Sequence, residues 1–342
     1  MIKKLLLYII LLFTTLMSKA QDPHFSQYQA SPLTINPAMT GLMTQDYRTT
    51  VNYRTQYWSV GSNFTTGTIS FEKKIQPDEF ESNSNRIAWG IMGLYDMSGN
   101  GGYKSMNLAF SGAYGKILDI EQTQQITVGF QAVLSTRAMN ISGLSFANQF
   151  TSGGFDLSLP NHESYFNGKK TYGDINSGLL YSYQTSTQRF YAGASMYHIN
   201  KPNISFSNDE KFRLPSRYVL HSGYRFVIND KNTYVLLNAN YMKQAGATNL
   251  LAGGAVGYYL TSQEYDIPQI AVSAGCWYRQ GDAVIPYFGL DWKSYQLGVT
   301  YDILNSGIKN VSPKTGGFEI SFRYAVTNPL NPFIHNVIGR EF

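Results

Sequence analysis

Along most of the chain, residues sort into two sets that alternate with a period of two. Phe318, Ile320, Phe322, Tyr324 and Val326 form one set; Glu319, Ser321, Arg323 and Ala325 form the other. Tyr295, Leu297, Val299, Tyr301 and Ile303 alternate with Gln296, Gly298, Thr300 and Asp302. Ile126, Val128, Phe130, Ala132 and Leu134 alternate with Thr127, Gly129, Gln131, Val133 and Ser135. Tyr218, Leu220, Ser222, Tyr224 and Phe226 do so with Val219, His221, Gly223 and Arg225. Such alternation places one set on each face of a β-strand. Turn residues, among them Asn229-Asp230-Lys231-Asn232 and Gln280-Gly281-Asp282, divide the chain into about fourteen segments of this kind. They begin near Thr49, Asn63, Arg86, Tyr103, Gln124, Asp174, Arg189, Ser216, Thr233, Leu250, Pro268, Val284, Ser294 and Gly316.

Many segments run about 9–11 residues, the length at which a tilted strand crosses a bilayer. Their polar sets are mostly Gly, Ser, Thr, Asn and Gln, and their apolar sets often end in Tyr or Trp. A soluble sandwich would expose more Lys and Glu. The pattern predicts an all-β fold: a transmembrane antiparallel β-barrel of about 14 strands, with a polar lumen and aromatic girdles at the interfaces. An even strand count places both termini in the periplasm and the connections after odd strands outside. The long connections, near 137–172, 200–215 and 305–315, all follow odd strands. The exception is Gln76 to Asn85, with Asp78, Glu79 and Glu81, read as a solvated turn or a docking point.

Composition narrows the class. Charged residues are 14% of the chain, against about 25% in typical globular domains. Aromatics reach 15%, with 26 Tyr and 20 Phe, yet mean hydropathy is only −0.23. After the first residues no apolar run reaches the ~18 residues of a membrane-spanning helix. Lys3 and Lys4, the apolar Leu5–Leu16 stretch and Ser18-Lys19-Ala20 predict a signal peptide over 1–20, cleaved near Ala20. Its removal leaves 24 Lys and Arg against 22 acids, from 27 in the whole chain. No basic stripe for nucleic acid remains. Cys276 is the only cysteine, so no internal disulfide forms. His24, His162, His198, His221 and His335 lack paired metal spacing. There is no Gly-x-Ser-x-Gly elbow and no phosphate loop, so neither catalysis nor a cofactor is expected. The expected divisions are 1–20, an N-terminal segment 21–47, the barrel 48–327, and a periplasmic tail 328–342.

Three sets of candidate residues follow. The segment from Gln21 and Asp22 through Pro23, Phe25, Tyr28, Asn36 and Pro37 to Gly41 has prolines that forbid a regular helix or central strand. A barrel of about fourteen strands encloses more room than its own side chains fill. The segment therefore either enters the lumen, closes its periplasmic mouth, or is an ordered tail. Arg54, Glu72, Asp174, His221, Arg225, Arg279, Asp291, Asp302, Glu319 and Arg323 fall on polar faces and are expected in the lumen, compensating one another across strands or lining a selective pore. The connection near 137–172 carries Phe146, Phe150, Phe155, Tyr165 and Phe166. Aromatics in outer loops are common anchors for protein partners, although such a loop could also fold into the lumen.

The block Gln21-Asp22-Pro23-His24-Phe25-Ser26-Gln27-Tyr28, with Ser31-Pro32-Leu33, Asn36-Pro37-Ala38 and Gly41, resembles the mature start of the PorP/SprF family. Tyr191-Ala192-Gly193, His198-Ile199-Asn200-Lys201-Pro202, Leu214-Pro215, Arg217-Tyr218, His221-Ser222-Gly223-Tyr224, Gly275-Cys276-Trp277-Tyr278-Arg279, Tyr301-Asp302 with Ser306, and Gly316-Gly317-Phe318-Glu319-Ile320 extend the likeness over nearly the whole mature chain. Family members commonly carry His before the Glu near the last strand; Phe318 stands there instead. The resemblance implies a type IX secretion and gliding-motility context in Bacteroidota. It implies an outer-membrane barrel partnered with a large exported surface protein or adhesin, and contacts with periplasmic and outer-membrane secretion components. The alternative is a channel for small solutes or hydrophobic molecules.

Overall fold

The computed structural model describes residues 21–57, 63–75, 85–98, 102–140, 146–156, 158–160, 168–207, 209–228, 232–261, 270–305 and 316–327. The expected signal peptide, the tail 328–342, the acidic stretch 76–84, Tyr165 and Phe166 lie outside the described residues.

Fourteen antiparallel strands close into one barrel. They are β1 Tyr47–Gln56, β2 Phe64–Ile75, β3 Arg86–Ser98, β4 Tyr103–Ile117, β5 Gln124–Met139, β6 Lys169–Gln184 and β7 Gln188–Tyr197. They continue as β8 Arg217–Val227, β9 Thr233–Gln244, β10 Ala247–Tyr259, β11 Ile270–Arg279, β12 Ala283–Trp292, β13 Tyr295–Leu304 and β14 Gly317–Val326. Each pairs with its sequence neighbour, and β1 closes on β14 with Tyr47 opposite Val326. The first strand therefore starts, and the last ends, at one rim. The 140–168, 198–216 and 305–316 connections leave the opposite rim.

Alternation decides which side chains face lipid. Along β5, Phe130 and Leu134 are exposed while Thr127, Gln131 and Ser135 are buried; along β13, Ile303 is exposed while Thr300 and Asp302 are buried. Antiparallel ladders run all the way round the closed wall, so main-chain groups within the bilayer core find partners in neighbouring strands. At the rim bearing Tyr47, outward aromatics touch across strands. Phe71 lies 6.2 Å from Tyr47 and 5.7 Å from Trp89, and Tyr295 lies 5.9 Å from Trp292 and 5.0 Å from Tyr324. This is the geometry of an interfacial girdle. Cys276, on β11, is exposed on the outer face.

Strand lengths are unequal. β1, β7 and β11 to β14 have 10 residues, whereas β4 has 15 and β5 and β6 have 16 each. The extra length rises on the rim opposite Tyr47. Arg137 and Tyr172, expected in a loop, are thus strand residues: Arg137 pairs with Lys170, and Tyr172 with Ser135. Outward positions there are Thr136, Ala138, Lys169 and Thr171, so the apolar half of the alternation disappears where lipid no longer wets the wall.

Candidate functional site: the filled lumen

The N-terminal segment runs inside the barrel. Three short 3-10 turns, Tyr28–Ala30, Pro32–Thr34 and Pro37–Met39, carry it; Pro32 and Pro37 open the last two, where a missing N–H costs nothing. Asn36 caps the third turn, accepting from Ala38 N at 2.8 Å. Phe25, Tyr28, Leu33, Asn36 and Ala38 are each at most 2% exposed. Pro37 is buried as well, Pro23 is half-buried, and Gln21 is exposed.

The wall holds this segment mainly by its backbone. Glu319 accepts from Ser26 N at 2.7 Å and from Gln27 N at 2.9 Å. Glu72 accepts from Gly41 N at 2.9 Å while bonding Arg48 at 2.7 Å. Tyr197 Oη donates to Leu33 O at 2.9 Å, Arg217 to Thr34 O at 2.9 Å, and Arg323 to Gln29 O at 3.0 Å. Arg54 donates to His24 O. A buried segment without strand partners must satisfy its amides and carbonyls somewhere, and inward polar side chains do it here. Tyr28 packs into an apolar cluster with Leu180, Tyr191, Val219 and Trp277, and Leu33 into another with Met92 and Val133.

Asn36 is fully enclosed. Its Nδ2 donates to Leu179 O at 3.0 Å and meets His221 Nε2 at 2.9 Å. Three wall glycines make the room. A Cβ at Gly129 would overlap the Pro37–Ala38 backbone, and one at Gly178 or Gly193 would overlap the Asn36 amide.

The segment also crosses the lumen from end to end. Gly41 lies beside Glu72 and Arg86, at the rim where β1 begins. Asp22 lies at the other rim: its N donates to Gln244 at the end of β9 at 2.8 Å, and Arg217 at the start of β8 is 3.3 Å from its carboxylate. His198, just past β7, bonds Asp22 through Nε2 at 2.6 Å and Asp174 through Nδ1 at 2.7 Å. Both ring nitrogens thus face carboxylates, which calls for an imidazolium donating twice. Burial works against charge on His198, but the Asp22 charge and the hydrogen bonds to both carboxylates outweigh it and raise its pKa. Burial likewise opposes the Asp22 anion, yet His198 and then Arg217 hold its pKa below the usual range.

All ten charged or imidazole residues expected in the lumen are buried. They do more than compensate one another. Asp302 binds Arg54 at 2.7 Å and Arg279 at 2.9 Å but also accepts from Ser26 Oγ at 2.7 Å. Arg225 donates to Tyr259 Oη at 2.5 Å. Beside the segment a cleft remains, lined by Gln29, Arg225, Tyr234, Trp277, Asp291 and Arg323. Arg48, Arg217, His198, Gln131, Ser195 and Gln244 also hold the segment or line its path; for Arg48, Gln131, Ser195 and Gln244 inward parity was the only signal, whereas His198 and Arg217 also stand in the motifs of the family resemblance. In the β5–β6 connection, Phe150 and Phe155 are 64% and 57% exposed and meet edge to face at 5.0 Å, while Phe146 is half-buried.

A family model described as the type IX secretion system membrane protein PorP/SprF matches residues 17–324. The chain belongs to the PorP/SprF family. It is therefore an outer-membrane β-barrel of type IX secretion. Among curated proteins none matches it. Among solved structures, the Ralstonia pickettii toluene transporter TbuX is 11% identical, with a TM-score of 0.51 over 87% of this chain and 94% of that one. The Pseudomonas putida toluene transporter TodX is 9% identical, with a TM-score of 0.49 over 91% and 96%. The CymD monoaromatic hydrocarbon channel is 11% identical, with a TM-score of 0.47 over 87% and 93%. The likeness to TbuX is one of fold.

Proposed function

We propose that this PorP/SprF barrel is the outer-membrane docking partner through which a large exported surface protein or adhesin is secreted or anchored. In this reading the signal peptide is removed near Ala20, the rim of Tyr47 and Val326 faces the periplasm, and the projecting connections are external. The filled lumen carries the choice between docking and passage. A wall whose inward hydrogen-bonding groups hold residues 22–41 favours a partner bound at the outer rim over solute flow through the middle. Phe150 and Phe155 supply exposed aromatic anchors there.

An affinity-tagged chain recovered from native outer membranes should bring down one very large exported protein. Replacing 140–168 by a short Gly/Ser linker should abolish its surface retention while the barrel still inserts. Surface display that persists in that variant overturns the reading. The second reading, a channel for small solutes or hydrophobic molecules, draws on the cleft beside Gln29 and Trp277. It requires conductance by the purified barrel without any partner; the docking reading expects conductance only once residues 21–41 are deleted or displaced from the lumen.

A further inference from the structure

β6 has 16 residues, but only Ser177–Gln184 pair with β7. Above that ladder the connection after β7 takes over. Ile199 N donates to Ile175 O at 3.0 Å, Asn200 Oδ1 accepts from Ile175 N at 3.3 Å, and Asn200 Nδ2 donates to Gly173 O at 2.9 Å. These groups of Ile175 and Gly173 point away from β5. By the two-residue period of a strand, the main-chain groups of Thr171 and Lys169 point the same way. Among the described residues none bonds to them, although the β5 ladder on the other side continues to Ala138 opposite Lys169. Among the described residues, two N–H and two C=O groups therefore stand open on a wall that projects about five residues, roughly 16 Å, past the length a bilayer crossing needs.

An open strand edge is a template for another strand. The surroundings of this one state the sign of the guest. Lys169 is exposed, and Lys104 lies on the same face across Ala138. On the inner face Arg137 stacks over Tyr172 at 5.5 Å; its charge reaches the Asp22 and Asp96 carboxylates, but among the described residues it makes no ion pair within 4 Å, and its buried Nε has no acceptor. Ile199, at the lower end of the edge, is 39% exposed. We propose that Lys169–Tyr172 of β6 receives an extended acidic segment of the exported protein by strand addition; this deepens the docking reading and rests on it. Main-chain bonds to Lys169 and Thr171 supply the adhesion, and the Lys104, Arg137 and Lys169 cations select carboxylate side chains on both faces of the guest strand.

The test uses a synthetic peptide alternating Val and Glu, with fluorescence anisotropy on the refolded full barrel. Binding should weaken by about tenfold or more when every second amide of the peptide is N-methylated, and likewise when Glu is replaced by Lys. Thr171→Pro removes the edge N–H and should lose binding; Thr171→Ala, which loses only the 3.0 Å hydroxyl contact to Thr136, should keep it. Absence of binding to the wild type, or binding indifferent to N-methylation and to Thr171→Pro, overturns the proposal. A wild-type dimer abolished by Thr171→Pro would assign the edge to a second copy and overturn it too. If Thr171→Pro retains the exported protein on cells while the 140–168 replacement loses it, the edge is excluded and the docking reading stands.

Discussion

Single residues decide whether the lumen is filled. Gly129 is the clearest, because a side chain there meets the Pro37–Ala38 backbone rather than a movable side chain. Gly129→Val should expel the third turn from its seat, lower the melting temperature by an amount matching the ~1–3 kcal/mol of an overpacked core, and raise single-channel conductance. A conductance equal to wild type would show that the turn does not depend on this glycine. At the other rim, His198 and Asp22 set a pH window. Asp22, with a lowered pKa, stabilises above its unfolded value near ~3.9 and loses that contribution as pH falls through the folded value. His198, with a raised pKa, contributes fully below ~6.5 and loses its contribution as pH rises through the folded value. Amide exchange of residues 22–28 should accelerate as pH climbs past the raised pKa of His198, beyond the intrinsic base-catalysed rise. His198→Gln should remove that extra step.

Strands were legible because the bilayer and the lumen impose opposite chemistry on alternate residues. The period-two sets of β5, β8, β13 and β14 face the sides the sequence pattern assigns them. The top of β5 and β6 was not legible for the same reason: above the membrane, Thr136 and Lys169 face water and the alternation has nothing to encode. Inward positions were legible as polar, but their partner was not. Glu319, Arg54 and Asp302 read equally well as cross-strand pairs, and only their burial against Ser26, Gln27 and His24 shows a third chain between them. The glycine cradle around Asn36 had no signal, since a glycine in a strand marks close approach without naming what approaches. The outward face gives a direct check. Ile69, midway along β2 and 58% exposed, pairs with Val51 and Gly93 in the lipid belt. Ile69→Arg should cost about 2–4 kcal/mol in reversible refolding into bilayers. The same change at a water-exposed rim residue such as Gln280 should cost little.

At the scale of the whole molecule, the N-terminal segment makes the barrel's two ends unequal. The wall begins and ends at one rim, yet the chain just before it has already crossed from the other. Asp22 reaches His198, Arg217 and Gln244 at the far rim only because residues 22–46 span the lumen. Gln21 is thus left at the rim of the long connections. Orientation and threading can be read in one experiment on a Cys276→Ser background, which removes the chain's only thiol. Gln21, Gln280 and Lys293 are all exposed, the first two at the projecting rim and the last at the rim of Tyr47. Each is changed singly to Cys and intact cells are treated with a membrane-impermeant maleimide. Gln280→Cys and Gln21→Cys should label from outside, and Lys293→Cys only after lysis. Labelling of Lys293→Cys alone would mean that the projecting rim faces the periplasm. Labelling at 280 without 21 would mean that the segment stops short of the outer mouth. Labelling at both would place the end of the segment beside the external connections, where a docked protein could grip or shield it.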